Sequence, residues 1–261
     1  MTRLERELAR VADADRLLVA SDFDGTLSPI AGRPEEARPD PAACLALQAI
    51  GGLPNTHAAI VSGRARAVLR ELLGPLAEGV VLVGSHGAEL EEDVPAGGMP
   101  TPAGLVEPSE ALTVEVERIA ERHPGSLVER KPVGVAFHYR GVPADRQARA
   151  AEEVRLGPGG RAGVTVREGR KVVELSLVSA DKGSALEELR RTLNVTAAVY
   201  LGDDRTDEDA FARLGPGDLG IEVGPGATRA AFRISGPSDV GTLLWRLYRR
   251  RADRLGTSPS S

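Results

Sequence analysis

Two aspartates, Asp22 and Asp24, stand one residue apart at the end of an apolar run, in the stretch LLVASDFDGTL from Leu17 to Leu27. The run fits a buried parallel strand, and Gly25 lets the chain turn sharply where it ends. At about 4 Å, two carboxylates repel by roughly 4 kcal/mol at an effective dielectric of 20. Such a pair invites a cation or a shared proton. Alone, Asp-x-Asp reads as an acidic turn; the polar residues further along the chain change that reading. Ser62 comes after the apolar run HAAIV, Lys182 opens a helix, and Asp203, Asp204 and Asp207 come after another apolar run ending at Leu201. Clustered carboxylates suit a hard, oxygen-liganded ion such as Mg²⁺. A hydroxyl, an ammonium and a helix N-terminus suit a phosphate. Metal, phosphate and a free carboxylate nucleophile together describe phosphoryl transfer through an aspartyl-phosphate.

The elements that must hold these groups alternate. The pattern predicts strands at Leu17–Ala20, His57–Val61 and Val80–Val83, with a helix from Pro41 to about Ile50, capped by Asp40, and another carrying Leu69, Leu72 and Leu73. Gly84 to Glu89 is turn-rich and predicts a hairpin with Leu90 and Glu91. After a Pro- and Gly-rich stretch, Asp93 to Pro108, the rhythm changes. A helix marked by Leu112, Val116 and Ile119 leads to strands over Leu127–Lys131 and Val133–Arg140. A helix over Ala144–Val154 then leads to strands over Val164–Arg167 and Lys171–Val178. From Asp181 the first rhythm returns: a helix, strands at Ala197–Leu201, Leu219–Val223 and Phe232–Ser235, and a closing helix over Asp239–Tyr248 before a frayed tail, Arg249–Ser261. The expected fold is α/β: a Rossmann-like, doubly wound parallel-sheet core, residues 1–103 and 180–261, with an inserted α+β domain, residues 104–179. In such a sheet the polar clusters at the strands' carboxyl ends converge on one crevice.

The 261 residues, 41% hydrophobic and with a formal net charge of −5, leave room for two such cores and show no electrostatic footprint for nucleic acid. The N-terminus lacks the apolar centre of a signal peptide, and no apolar stretch approaches the roughly 20 residues of a membrane helix. A soluble, cytoplasmic protein is expected, with no membrane or nucleic-acid partner. The lone Cys44 sits among Ala43, Leu45 and Leu47 and reads as packing. Only three of the 33 basic residues are lysines, Lys131, Lys171 and Lys182, which singles them out because ammonium and guanidinium are not interchangeable at a tight site. Gly224-Pro225-Gly226 lacks the spacing and lysine of a phosphate loop and reads as a turn.

Taken in order, these motifs resemble the haloacid dehalogenase superfamily of phosphatases. The resemblance implies that Asp22 is the nucleophile and Asp24 the general acid and then base. It implies that Ser62 and Lys182 hold the phosphoryl group. Mg²⁺ would be bound by Asp22, the Asp24 carbonyl and Asp203, with Asp204 and Asp207 supporting them. Ser62-Gly63-Arg64, GSHGAE (Gly84–Glu89), KPVGVAFHYR (Lys131–Arg140), Val172-Val173-Glu174-Leu175 and GDDRTDEDAF (Gly202–Phe211) narrow it: together they resemble the trehalose-6-phosphate phosphatases. In that family the insert is a cap, and Glu129, Lys131, Arg140 and Glu174 would hydrogen-bond the disaccharide, with Arg64 and His86 lining the mouth from the core. Glu129 and Lys131, two apart on one strand, share a face; a plain salt-bridge ladder is the competing explanation, and His138 reads as structural. The resemblance thus implies a Mg²⁺-dependent monomeric phosphatase releasing trehalose from trehalose 6-phosphate, the last step of trehalose biosynthesis, coupled in function to the synthase. The alternatives are another capped sugar-phosphate phosphatase, a mutase on the same core, or a non-catalytic relative that binds sugar phosphate.

Overall fold

The strand that ends at the paired aspartates, β1 (Leu17–Ser21), is buried at every position and sits in the middle of a sheet. The computed structural model describes residues 2–90 and 105–257. In chain order the first elements are α1 (Arg3–Ala12), β1, α2 (Pro41–Gly51), β2 (Thr56–Val61), α3 (Arg66–Leu73) and β3 (Val80–Val83). The middle segment holds α4 (Val106–Ala120), β4 (Leu127–Lys131), β5 (Gly134–His138), α5 (Gln147–Leu156), β6 (Thr165–Gly169) and β7 (Val172–Ser176). The last elements are α6 (Lys182–Thr192), β8 (Ala197–Gly202), α7 (Asp207–Phe211), β9 (Leu219–Val223), β10 (Phe232–Ile234) and α8 (Pro237–Leu255).

The chain divides into two compact units, Met1–Gly98 with Ala180–Ser261, and Met99–Ser179. The expected boundary at residues 103 and 104 lies outside the described residues, as does Glu91. In the first unit a six-stranded parallel sheet runs β10-β9-β8-β1-β2-β3. Alternation along β1 covers both its faces: Leu17 and Val19 pack with α2 and α8, Leu18 and Ala20 with α6. The sheet is doubly wound, and Asp40 caps α2 by accepting the Ala43 N–H at 3.0 Å.

The second unit is an antiparallel sheet, β4-β5-β7-β6, with α4 and α5 packed on one face through Leu112, Val116, Ile119, Ala150 and Val154. Its register aligns Glu129, Ala136, Glu174 and Arg167 in a row across the four strands, on the face opposite Val135, Phe137 and Leu175.

Three expectations need correction. The arginine-rich tail is helical: α8 runs to Leu255 because Arg251, only 1% exposed, donates to the carbonyls of Ala12, Ala14, Asp15 and Asn55 and to Thr56 Oγ1. Carbonyl dipoles satisfy a buried guanidinium that a sequence pattern reads as solvated. Among the described residues the segment after β3 is not a strand pair but a turn, Ser85–Gly87, closed by an antiparallel Gly84–Glu89 bridge. The helix expected over Ala144–Val154 is shifted, since a turn donating Arg146 N–H to the Pro143 carbonyl occupies its start.

Candidate active site

In the first unit the predicted residues meet at the carboxyl ends of β1, β2 and β8. Asp22 follows β1, and its N–H donates to the Leu201 carbonyl of β8 at 2.8 Å. Ser62 follows β2, is 1% exposed, and donates its N–H to Val83 of β3 at 2.9 Å. Lys182 is the first residue of α6, whose N-cap Asp181 forms a reciprocal box with Ser184. Buried as it is, the Lys182 ammonium lies 2.9 Å from Asp22 Oδ1 and 2.8 Å from Asp207 Oδ1. Burial lowers its pKa, but Asp207 and Asp22 outweigh burial and raise it.

Asp207 is the anchor of this arrangement. Its Oδ1 accepts from Lys182 and from the buried Tyr200 hydroxyl, both at 2.8 Å; its Oδ2 accepts the N–H groups of Asp203 and Asp204 at 3.0 and 3.1 Å. Four donors fill the about four lone-pair sites of a carboxylate. Tyr200 lies inside the apolar run of β8, where the sequence pattern reads only core; its position just before Gly202-Asp203-Asp204 is the signal that could have found it. Burial, then Asp207, hold its phenol well above the ordinary range.

Asp22, Asp203 and Asp207 each bring one oxygen within 4.8 Å of the others. With Asp207 saturated, Asp22 and Asp203 are the carboxylates left to face a cation. A Cβ at position 25 would fall 2.0 Å from Asp203 Oδ2, so the Asp203 carboxylate fills a cradle that only glycine leaves open, and Gly25 has φ 85°. Asp203 Oδ1 accepts from Thr26 at 3.2 Å. Burial, then Asp207 and Asp204, push the Asp203 carboxyl up to about 7. Asp22 is raised well above the carboxylate range by burial, against the pull of Lys182 and with the push of Asp207, Asp204 and Asp203. Asp204 goes the other way: burial is overcome by Lys182 and by hydrogen bonds from Thr206. Carboxylates held uncomfortably close, with oxygen donors alone, fit a divalent hard cation.

Asp24 turns away from this cluster to Arg64, Nε to Oδ2 at 2.6 Å and Nη2 to Oδ1 at 2.7 Å. His86, in the left-handed region at φ 56°, stacks against the Gly63 backbone, where a Cβ would come within 2.6 Å of its ring. The GSHGAE segment also serves α3: Glu89 accepts from Ser85 Oγ and from Arg66 N–H. Neither contact is signalled by periodicity.

In the second unit Lys131 Nζ lies 2.9 Å from Glu174 Oε2, with side chains 5% and 11% exposed. Glu129 on the same face hydrogen-bonds His138 at 2.9 Å, and that bond, with Lys131, overcomes burial and lowers its pKa. Arg140 lies past the end of β5 and donates to the Arg170 carbonyl at 3.3 Å, so it stands outside the strand row that holds Glu129 and Glu174. Arg167, which the sequence pattern did not single out, stands in that row opposite Glu174.

A family model for trehalose-phosphatases matches residues 20–236. A trehalose-phosphate phosphatase of Mycobacterium marinum is 36% identical over 253 residues, covering 89% of this chain and 61% of that protein. A bifunctional trehalose-6-phosphate synthase/phosphatase of Thermoproteus tenax is 34% identical over 241 residues, 90% of this chain and 32% of its own length. This chain therefore spans at most 61% of the length of these relatives. The C-terminal domain of Candida albicans trehalose-6-phosphate phosphatase has the same fold, with a TM-score of 0.79 over 95% of this chain and 97% of that one at 24% identity. An Aspergillus fumigatus trehalose-6-phosphate phosphatase matches with a TM-score of 0.64 and 26% identity over 94% and 97%. With most of its first unit and the whole of its second inside the matched span, the chain belongs to the trehalose-phosphatase family.

Proposed function

We propose that this chain hydrolyses trehalose 6-phosphate to trehalose and phosphate through a phosphoryl group carried on Asp22. The observation that carries the reading is Asp22 held at 2.9 Å by a buried ammonium, itself anchored on Asp207, in a chain of this family. Asp22 attacks phosphorus, and the bond from phosphorus to the sugar oxygen breaks as Asp24 gives that oxygen a proton. Water then attacks the phosphoryl group, Asp24 takes its proton, and the electron pair returns to Asp22. Lys182 and the Ser62 hydroxyl hold the phosphoryl oxygens, where charge is best met by fixed donors. Asp22, Asp203 and the Asp24 carbonyl would hold Mg²⁺, which supplies charge neutralisation for the phosphoryl oxygens.

The second unit serves as the cap. Glu129, Lys131, Arg140 and Glu174 contact the sugar, with Arg64 and His86 at the mouth of the core. A sugar offers only hydroxyls, so a pocket of paired charges supplies both acceptors and donors. The enzyme so read is a cytoplasmic monomer. Among the described residues no helix is long and apolar enough to cross a membrane. The Thermoproteus relative, named as both synthase and phosphatase, supports functional coupling to the enzyme that makes the substrate.

Phosphate release from a panel of sugar phosphates, with Mg²⁺ and with chelator, tests the proposal. The expected result is strong preference for trehalose 6-phosphate and activity only with the metal. Equal rates on glucose 6-phosphate and trehalose 6-phosphate would overturn the substrate, and full activity in chelator would overturn the metal.

A further inference from the structure

Asp22 and Asp24 leave β1 two residues apart, yet a different cation holds each. Lys182 takes Asp22, while Arg64, from the turn after β2, takes Asp24 through both oxygens. Two parallel N–H···O bonds fix the plane of a carboxylate as well as its position, which a point charge does not. The guanidinium is itself tied down. Nη1 donates to the Pro34 carbonyl at 2.9 Å, and Cζ lies 5.6 Å from the centroid of the Phe23 ring. The Arg64 N–H donates to Ser62 Oγ at 3.2 Å, and its carbonyl accepts the Ser85 N–H at 2.8 Å. The side chain is 12% exposed against 33% for Asp24. Each of these polar arms of Arg64 ends within one loop cluster of the first unit.

We infer that Arg64 is the positioning residue of Asp24, acting on the reaction through that carboxylate and not by reading the sugar. The inference rests on the reading of Asp24 as acid and base. The fork fills two of the about four lone-pair sites of the carboxylate and leaves each oxygen one. Held so, Asp24 is oriented to accept a proton, which the second half-reaction requires. There the water oxygen bonds phosphorus, the bond from phosphorus to Asp22 breaks with its electron pair going to the Asp22 carboxylate, and the water proton goes to Asp24. In the first half-reaction Asp24 gives the sugar oxygen a proton carried on one of those open sites, a step that a good leaving group makes nearly dispensable. With such an ester Arg64 bears most on the dephosphorylation of Asp22.

The test uses the whole chain with Mg²⁺ and p-nitrophenyl phosphate, whose leaving group needs little help from an acid. Wild type, Arg64→Ala, Arg64→Lys, Asp24→Asn and the double variant Arg64→Ala with Asp24→Asn are compared for steady-state rate, for early nitrophenolate release and for thermal midpoint. Arg64→Ala is expected to lose about tenfold to a hundredfold in steady-state rate, part of the 10²–10⁴ a placed acid–base group contributes. A burst of about one nitrophenolate per enzyme should precede the slow phase, as phosphorylated Asp22 accumulates. Arg64→Lys should recover little, because it restores charge without the fork. In the Asp24→Asn background the Arg64 change should cost less than about twofold, since residues acting as a unit are not additive. An equal loss in both backgrounds would overturn the inference, as would full recovery by Arg64→Lys. An Asp24→Asn variant with wild-type turnover would instead remove the acid–base reading, whatever Arg64 does.

Discussion

Two of the three lysines end on buried carboxylates, one in each compact unit, and the two sites are built differently. Lys182 sits between two aspartates, and one of these is saturated by a tyrosine and two backbone N–H groups. Asp207 cannot turn without breaking several bonds at once. Lys131 faces Glu174 across a sheet, two strands away, with Ala136 between them in the row of Glu129 and Glu174. Its geometry follows the strand register. The first site suits a reaction in which every substrate brings the same phosphoryl group and preorganised charge does the work. The second suits discrimination among the groups attached to it, where hydrogen bonds left unmade reject the wrong sugar.

The largest effect should come from the first site. Asp22→Asn keeps the shape and removes the attacking charge, so phosphate release should fall below detection. The thermal midpoint should move little, since Lys182 retains Asp207. Substantial residual turnover would end the covalent mechanism.

Lys182→Met tests whether the first site is the more tightly built. It leaves Asp207 and Asp22, 0% and 4% exposed, facing each other without their cation. Breaking a buried charge pair on one side costs about 3–5 kcal/mol, and uptake of a proton by Asp22 would bring the loss toward the lower end. Lys131→Met removes the cation from Glu174 and Glu129, whose side chains are less completely buried, and should cost less in urea unfolding. A larger loss for Lys131→Met would invert the comparison.

Glu174→Ala should lower kcat/KM for trehalose 6-phosphate by about 1.5–3 kcal/mol, the worth of a hydrogen bond to a charged group, and leave p-nitrophenyl phosphate nearly untouched. Because Lys131 would stay buried without this carboxylate, the midpoint should fall as well. The double variant Lys131→Met with Glu174→Gln separates the two effects: removing both charges should restore much of the stability and none of the selectivity. A uniform loss of activity across both esters would make Glu174 a part of the fold and not of sugar recognition.

The same contrast explains what could be read from the chain. The alternation of apolar runs and the acids, hydroxyl and lysine that end them are local, so the doubly wound sheet and the gathering of Asp22, Ser62, Lys182 and Asp203 were legible. The supports were not. Arg64 reaches Asp24 across 40 positions, Tyr200 hides in a core strand, and Arg251 sits 195 positions from the Thr56 hydroxyl it binds. No periodicity encodes such pairings. In the second unit β5 stops at His138, two residues short of the end the pattern gives, so Arg140 lies beyond the strand.

The smallest expected effect concerns protons at the first site. In the folded, metal-free protein the Asp203 carboxyl is pushed up to about 7, chiefly by burial and then by Asp207 and Asp204, whereas its ordinary value is 3.8. Between these limits the folded state holds a proton that the unfolded chain has released, so stability falls as pH rises through that window. Asp22 and Asp207, also raised mainly by burial, push the same way. Lys182 and Asp204 do not compensate. The raised Lys182 contributes in full below its ordinary 10.5, and the lowered Asp204 contributes above its ordinary 3.8, so both are constant across the window. A metal needs the carboxylate and expels that proton on binding, so Mg²⁺ should raise the thermal midpoint more above pH 7 than below it. For a domain of this size about 1 kcal/mol corresponds to roughly 2–4 °C. Asp203→Asn should flatten both the pH slope between about 4 and 7 and the response to Mg²⁺. An unchanged slope in Asp203→Asn would mean that the crowding of carboxylates around Lys182 is not what sets the first site apart.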